Sequence, residues 1–558
     1  MQTPTTRSAL RTVARNTLVG LGLAGVGVAG IGAFAPSTSA APALIPAATA
    51  TTDRDPATVV TTGGAVRGTV KDKVRSFQGI PYATADRFAA PLPAKPWKGV
   101  RDATAPGKVC AQPAGYPIGR PSTDEDCLNL NVTTPTTLTV PATPTSPTAR
   151  GGRLPVIVWI HGGSMMFGMG DLYGPDRLAA GGAVVVSMNY RLGVTSFLTH
   201  PDLPESGGLA LDDQRAALRW VHDNIASFGG DPGRVTIMGQ SGGGFGVCGQ
   251  LASPASEGLF HRAIVQSAPC STPKNASRTR AEADAESKKL IKDVGCAPKD
   301  AGPRGTAACL RAARIGTLLA TYGAAHEPRP VSGTPQLPLP VDQALRTGRF
   351  NRVPVLVGVN HDEENGMVLG QELATGKPMT AEEYAPAVRA QFRKQAPQVL
   401  KRYPLNGSES AGQTLARVRT DATWSAPTLT TARDLARHAP VRMYEFAERD
   451  TPWFRDTPKP SFPAAAQHMA ELPSLFDIGL FADLSAEQSA LADRMIGAWT
   501  RFAATGDPNG GGENVWPRLR TDRGASALHI QSLTKGPWKP ADFVRDHKAA
   551  FWTGASEH

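Results

Sequence analysis

Short, wholly apolar runs alternate along the chain with segments whose apolar positions recur every three or four residues. The runs at residues 154–160, 183–188, 234–238, 262–266, 353–360 and 441–446 are rich in β-branched side chains and show little polar alternation. A strand with one wet face would alternate, so these runs predict strands buried on both faces. Between them, residues 209–227 carry Leu211, Ala216, Leu218, Val221 and Ile225 at helical spacing. Strands and helices in turn predict an α/β fold: a central, mostly parallel sheet flanked by helices. Residues 271–345 and 367–438 are longer than a minimal sheet needs, and are expected to be long insertions capping whatever site the sheet carries. No internal repeat is present.

The first forty residues break the pattern. Arg7, Arg11 and Arg15 precede an apolar stretch rich in Gly and Ala, and Thr38-Ser39-Ala40 closes it with small residues. That layout predicts a signal peptide over residues 1–40, with a retained membrane anchor as the alternative because the stretch approaches bilayer-spanning length. Pro36 and the small residues favour cleavage, and the absence of an arginine pair favours the general secretory route. Residues 41–58 are dense in Ala, Pro and Thr and read as a flexible linker, leaving 59–558 as one folded domain. A second Thr/Pro-rich segment, 133–152, reads as a long exposed loop. No later stretch is long and apolar enough to span a bilayer, so no stable membrane anchor is expected after cleavage.

Export changes the meaning of the six cysteines. None lies in a CxxC spacing, so disulfides are expected rather than metal ligands. Proximity pairs Cys110 with Cys127, Cys248 with Cys270 and Cys296 with Cys309, although six cysteines allow about fifteen connectivities. The formal charge of +11 falls to +8 when the three leader arginines are removed (11 − 3). Spread over the domain, that charge is too dilute for a nucleic-acid partner, which needs a dense basic stripe.

Gly239-Gln240-Ser241-Gly242-Gly243 is the pentapeptide that carries chemistry. It follows the strand at 234–238 and opens a helix-compatible run, 244–252, so Ser241 would sit on a sharp strand-to-helix turn. The glycines suit strained dihedrals and close backbone approach. A serine hydroxyl there becomes a nucleophile only with a base and with donors for the developing oxyanion. His161-Gly162-Gly163-Ser164 follows the strand at 154–160 on the same sheet edge and is a glycine turn able to aim N–H groups, with Gly242 supplying another.

In such a fold the acid and the histidine follow the serine, at carboxyl ends of strands. The acid candidates are Asp362, Glu363 and Glu364, which spacing alone leaves open. Of the histidines, His438 precedes a strand and faces the wrong edge, and His529 lies in a terminal strand. His547 and His558 fall near an end expected to fray. His468, after the strand at 441–446, remains by elimination.

These residues resemble the type-B carboxylesterase/lipase family of the α/β-hydrolase superfamily, and specifically its secreted bacterial carboxylesterases. The resemblance runs from about Val60 to Trp516. It is carried by Phe77-Gln78-Gly79-Ile80-Pro81-Tyr82-Ala83, Glu125-Asp126-Cys127-Leu128-Asn129, Asn189-Tyr190-Arg191-Leu192-Gly193, Phe228-Gly229-Gly230-Asp231-Pro232, the serine pentapeptide, Gly358-Val359-Asn360-His361-Asp362-Glu363, His468 with Glu471-Leu472-Pro473, and Thr505-Gly506-Asp507-Pro508-Asn509. The resemblance implies that residues 59–558 are a catalytic domain and that Ser241, Glu363 and His468 form a triad. It puts the oxyanion donors at Gly163, Ser164 and Gly242, a first disulfide at Cys110–Cys127 and an ion pair at Arg87–Glu125. The implied activity is secreted carboxylic-ester hydrolysis through an acyl-enzyme, with a small-molecule or lipid-like ester substrate and no metal or organic cofactor.

Three positions depart from the family's usual residues: Gln240 replaces Glu, Gly242 replaces Ala, and Ser164 replaces the third glycine of the turn. Backbone donors tolerate all three changes, though Ser164 narrows the space beside them. The loop after Tyr82 is also shorter than usual. A lipase acting on long acyl chains is the rival enzyme, and Met165, Met166 and Phe167 are candidates for an apolar pocket. A non-catalytic adhesion protein of this fold is the rival of another class, disfavoured because all three triad residues are present. A cholinesterase is disfavoured because the segment between Cys110 and Cys127 holds Tyr116 and no tryptophan. The physiological ester and the oligomeric state stay open.

Overall fold

The fold is given by a computed structural model, which describes residues 55–554 except 116–117, 137–151, 273–276, 324–325, 327, 513–514 and 522–527. The expected signal peptide, residues 41–54 of the expected linker, Tyr116 and His558 therefore lie outside the described residues.

An eleven-stranded sheet forms the centre. Its strands are β1 (Thr69–Lys71), β2 (Val74–Pro81), β3 (Asn129–Pro135), β4 (Leu154–Ile160), β5 (Val184–Met188), β6 (Gly230–Gln240), β7 (Arg262–Gln266), β8 (Val355–Asn360), β9 (Val441–Phe446), β10 (Ile530–Leu533) and β11 (Lys539–Pro540). Their order across the sheet is β11-β10-β9-β8-β7-β6-β4-β5-β3-β2-β1. From β5 to β10 every neighbouring pair is parallel, and both edges are antiparallel. The order reverses at β4: β5 lies on one side of it and β6 on the other. In an open parallel sheet, that reversal leaves a crevice at the carboxyl ends of the two diverging strands.

The six apolar runs are six of these strands. β4, β7 and β9 have the predicted limits; β5 and β8 begin one and two residues later, and β6 extends over Gly230–Gln240. Every residue of β4, β5, β8 and β9 is buried. Alternate side chains serve two cores. Val156, Val158, Val186, Ile237, Val357 and Met443 pack under helix α1 (Leu209–Asn224) and helix α2 (Gly242–Ala252). Ile157, Trp159, Met238, Leu356 and Tyr444 pack under helix α3 (Ala486–Thr505) through Met495, Trp499 and Phe502. α1 ends earlier than its pattern suggests, because Ile225–Phe228 tightens into a 3-10 turn before Gly229.

Three expectations are corrected. Thr133, Thr134 and Pro135 are not loop: they are buried in β3. His529 precedes β10 rather than lying in it. His547 is not on a frayed end: it is 2% exposed, and its Nδ1 and Nε2 meet Asp421 Oδ1 at 2.6 Å and Glu445 Oε1 at 2.5 Å. Position near a terminus says little when a side chain has two buried partners to reach.

The disulfides join Cys110 to Cys127, Cys248 to Cys270 and Cys296 to Cys309. Cys248–Cys270 staples α2 to the loop after β7, beside the crevice. The insertion at 271–345 carries helices over Arg280–Asp293, Gly305–Ala312, Ile315–Tyr322 and Val341–Thr347, and a short parallel pair of strands, Arg278–Thr279 with Val331–Ser332.

His547 supplies a stability test. Burial disfavours its charged form, but Asp421 and Glu445 outweigh burial and lift it to about 10. A histidine raised in the folded state contributes fully below its ordinary value, and that contribution is lost as pH rises through about 10. His547→Leu leaves two buried carboxylates without their cation and should cost about 3 kcal/mol at neutral pH. A shift of the urea midpoint measures it, and the gap between variant and wild type should shrink as pH rises towards 10.

Candidate active site

Ser241 is the single residue between β6 and α2. Its dihedrals, φ 55° and ψ −124°, lie where residues bearing a Cβ are strained. Close packing holds it there. A side chain at Gly239 would strike the Gly243 carbonyl, and one at Gly243 would strike the Ile160 carbonyl at the end of β4. The Ser241 N–H donates to the Gln266 carbonyl at 2.9 Å, tying the turn to β7. The side chain thereby stands at the crevice left by the strand reversal.

The glycine turn after β4 meets this turn directly. His161 is buried, stacks on Tyr190 with ring centroids 4.4 Å apart, and its carbonyl accepts the Tyr190 hydroxyl at 2.7 Å. Burial pulls the His161 imidazole down to about 4, so this ring is a neutral prop rather than a base. Gly162 packs against Gln240, where an added Cβ would stand 2.9 Å from the Gln240 carbonyl. Gly163 has φ 104°, and Ser164 and Met165 follow at 54° and 56°. An added Cβ on Gly242 would lie 2.8 Å from the amide nitrogens of both Ser164 and Met165. Among the described residues, no hydrogen bond engages the N–H groups of Gly163, Ser164 or Gly242. Three free donors thus sit beside Ser241.

The acidic cluster separates into three roles. Asp362 pairs with Arg449 at 3.1 Å. Glu364 accepts the Trp424 indole N–H at 2.8 Å. Glu363 is fully buried and faces His468, with Oε2 2.5 Å from Nδ1. Its other oxygen accepts the Ser267 hydroxyl at 2.6 Å and the Asn360 N–H at 2.8 Å. With Nδ1 engaged, Nε2 is the nitrogen left for proton transfer. Burial alone lowers the affinity of His468 for a proton. The charge and hydrogen bond of Glu363, helped by Glu471 and Glu364, outweigh it and hold His468 above the ordinary histidine value. Among the described residues no hydrogen bond joins Ser241 Oγ to the ring, and such contacts commonly tighten only around substrate.

A cavity of about 390 Å³ opens over Ser241, walled by Met165, Met166, Phe167, Phe245 and Trp424. The last two were not legible in sequence. Phe245 follows from its place one turn into α2. Trp424 stands on a π-turn, Thr420–Ser425, and lies 4.5 Å from the His468 ring, centroid to centroid. Ser267 was missed too, although the rule that functional groups cluster after parallel strands points to the residue following β7. Three of the motifs quoted from sequence prove to be props. Tyr82 donates to the Asn189 carbonyl at 2.7 Å, Arg191 clasps Asp213 at 2.8 and 2.7 Å, and Arg87 Nε donates to Glu125 at 2.7 Å.

Among the described residues, the one group able to offer three metal ligands is His361, Glu445 and His547. Both rings approach the same Glu445 oxygen, at 2.9 and 2.5 Å. Two ligands on a tetrahedral zinc stand about 3.3 Å apart. These are hydrogen-bond distances, so the group reads as a charge clasp.

The sequence profile of the carboxylesterase family matches residues 55–552. The chain is 33% identical over 513 residues to acylcarnitine hydrolase of Mus musculus, covering 87% of each protein. It is 32% identical over 516 residues to a cocaine esterase of Homo sapiens, covering 86% of this chain and 87% of that one. Among solved structures it is similar to a PNB esterase, with TM-score 0.69 and 29% identity, covering 89% of this chain and all of the other.

The strain at Ser241 can be measured apart from chemistry. Ser241→Gly removes the Cβ from a backbone conformation that suits glycine, and should raise unfolding stability by about 1 kcal/mol. A urea titration with an unchanged or lower midpoint would show that the turn is not strained.

Proposed function

The chain belongs to the carboxylesterase family and is a carboxylic-ester hydrolase, and we propose that Ser241 is its nucleophile, His468 its general base and acid, and Glu363 the carboxylate that orients the histidine. The observation that carries this reading is the convergence of a strained serine, a Glu363–His468 contact of 2.5 Å and three unengaged N–H groups at one crevice.

The chemistry is acyl transfer in two steps. Ser241 Oγ attacks the ester carbonyl as His468 Nε2 takes its proton. The carbonyl oxygen becomes an oxyanion beside the N–H groups of Gly163, Ser164 and Gly242, whose preorganisation stabilises charge that forms only at the transition state. His468 then protonates the leaving alcohol, and water repeats the cycle on the acyl-enzyme to release the acid. Gly162 contributes by its small size, letting the turn approach Gln240 and Ser241.

The walls favour a compact ester. A cavity of about 390 Å³ lies towards the lower end of the range of ligand pockets, roughly 300–1,000 Å³, which supports short acyl groups over the long chains of a lipase. The partner is a small-molecule ester, met by a wall in which His326, Arg329 and Thr423 stand beside the apolar side chains. Three disulfides support action outside the cytosol, since such bonds persist in oxidising compartments.

Hydrolysis of a p-nitrophenyl ester series should peak at short acyl length, and Ser241→Ala should lower kcat by about 10⁴-fold or more. Rates rising with chain length on emulsified substrate would favour the lipase, and an active Ser241→Ala would overturn the assignment. The base must be neutral to accept the serine proton. Because His468 is held above the ordinary histidine value, kcat/KM should fall as pH drops through a value above that of free histidine. Glu363→Gln removes the charge that raises it, so kcat should drop and the acid limb should move to lower pH.

A further inference from the structure

Both main-chain polar groups of His468 are bonded to the other two arms of the site. Its N–H donates to the Glu363 carbonyl at 3.1 Å, and its carbonyl accepts Nε2 of Gln240 at 2.6 Å. The preceding carbonyl, that of Gln467, accepts Asn360 Nδ2 at 2.7 Å. Gln240 is the last residue of β6 and the immediate neighbour of Ser241, 2% exposed and absent from the cavity wall. Its side chain can satisfy a carbonyl only through its NH₂ end, since a carbonyl has no proton to give. Nucleophile and base are therefore fastened by one short bond between strand β6 and the histidine loop, 228 residues apart in the chain.

We propose that Gln240 is a positioning residue: its amide holds the His468 main chain at a fixed offset from Ser241, while its neutrality leaves the charge on the imidazole to be set by the carboxylates alone. Those carboxylates are Glu363, Glu471 and Glu364, and the Trp424 ring lies beside the imidazole, 4.5 Å centroid to centroid and tilted by 48°. Glu471 lies in the same wall, accepting Gln266 Nε2 at 3.1 Å and Asn360 Nδ2 at 2.6 Å, and burial lifts it to about 7. The histidine thus already faces enough acid, and a further carboxylate at position 240 would oppose the His468 carbonyl and bind the imidazole proton more tightly. Donation and neutrality are separable by substitution, because methionine removes the first and keeps the second, whereas glutamate removes both.

The inference rests on the triad reading, so the full-length wild type, Gln240→Met, Gln240→Glu and Ser241→Ala are compared on p-nitrophenyl acetate across pH. Rates of the wild type and the two Gln240 variants are taken per active site titrated with a p-nitrophenyl phosphonate, which keeps misfolded molecules out of the count, and that of Ser241→Ala, which has no hydroxyl to phosphonylate, per mole of protein. Gln240→Met should lose about ten- to a hundredfold in kcat, with KM within about twofold and the acid limb unmoved. Gln240→Glu should show a similar loss, with the acid limb moved up by about one pH unit, since a nearby negative charge favours the imidazolium. Wild-type kcat per site in Gln240→Met, a loss confined to KM, or an unmoved limb in Gln240→Glu overturns the proposal while leaving the triad standing. Activity retained in Ser241→Ala overturns the triad and this proposal together.

Discussion

The structure depends on two turns pressed together where the sheet reverses its strand order. β4 and β6 run side by side, and each ends in a turn that would be sterically blocked if its partner's glycines carried side chains. Gly243 must clear the Ile160 carbonyl, and Gly242 must clear the amides of Ser164 and Met165. This mutual exclusion leaves both turns little room to move, which the proposed nucleophile and oxyanion donors would need. The positive φ angles at Gly163, Ser164, Met165 and Ser241 are what that closeness costs. The remainder of the fold supplies the rigidity that keeps them there: strands buried on both faces, α2 stapled by Cys248–Cys270, and His161 wedged on Tyr190.

Hung from this abutment, the histidine loop has little regular structure of its own. It is held by polar contacts to three strand ends: Gln240 from β6, Gln266 through Glu471 from β7, and Asn360 from β8. The network is not complete: Gln266 Oε1, Asn360 Oδ1 and Gln467 Nε2 are buried without a hydrogen-bond partner among the described residues, and unpaired buried polar groups are costly. His547, far along the chain, also matters locally. Through Asp421 it anchors the π-turn that carries Trp424 to the cavity, and through Glu445 it anchors the strand beside β8.

The parallel half of the sheet was legible because burial on both faces leaves a strong local mark. β4, β7 and β9 could be bounded from composition alone, and the serine and glycine turns followed from what comes after those strands. The antiparallel edge was not, since β1 to β3 are short or mix polar with apolar residues, and their quoted motifs read as signatures rather than as strands. Proximity in sequence favoured the right cysteine pairs. What local pattern cannot carry is a partnership made across the fold. Gln240 was visible as a departure from the usual glutamate, but not its partner, a main-chain carbonyl. Trp424 belongs to a turn whose π geometry has no sequence mark, and His547 looked terminal because its two carboxylates are distant in the chain.

Among the carboxyl groups around His468, chemistry is divided by environment rather than by residue type. Glu363 accepts a hydroxyl, a main-chain N–H and the imidazole. Glu471 has only two amides and is pushed by burial and by Glu363 to about 7, so near neutrality it shares in a proton. Glu364 is raised by burial as well, and gives its hydrogen-bonding capacity to Trp424. In the proposed mechanism, neighbours whose carboxyl groups are raised by burial press less charge on an imidazole that has both to accept the serine proton and to give it up. A neutral amide at position 240 fits that division, because it adds a donor where the loop needs fastening and adds no charge where the balance is already set.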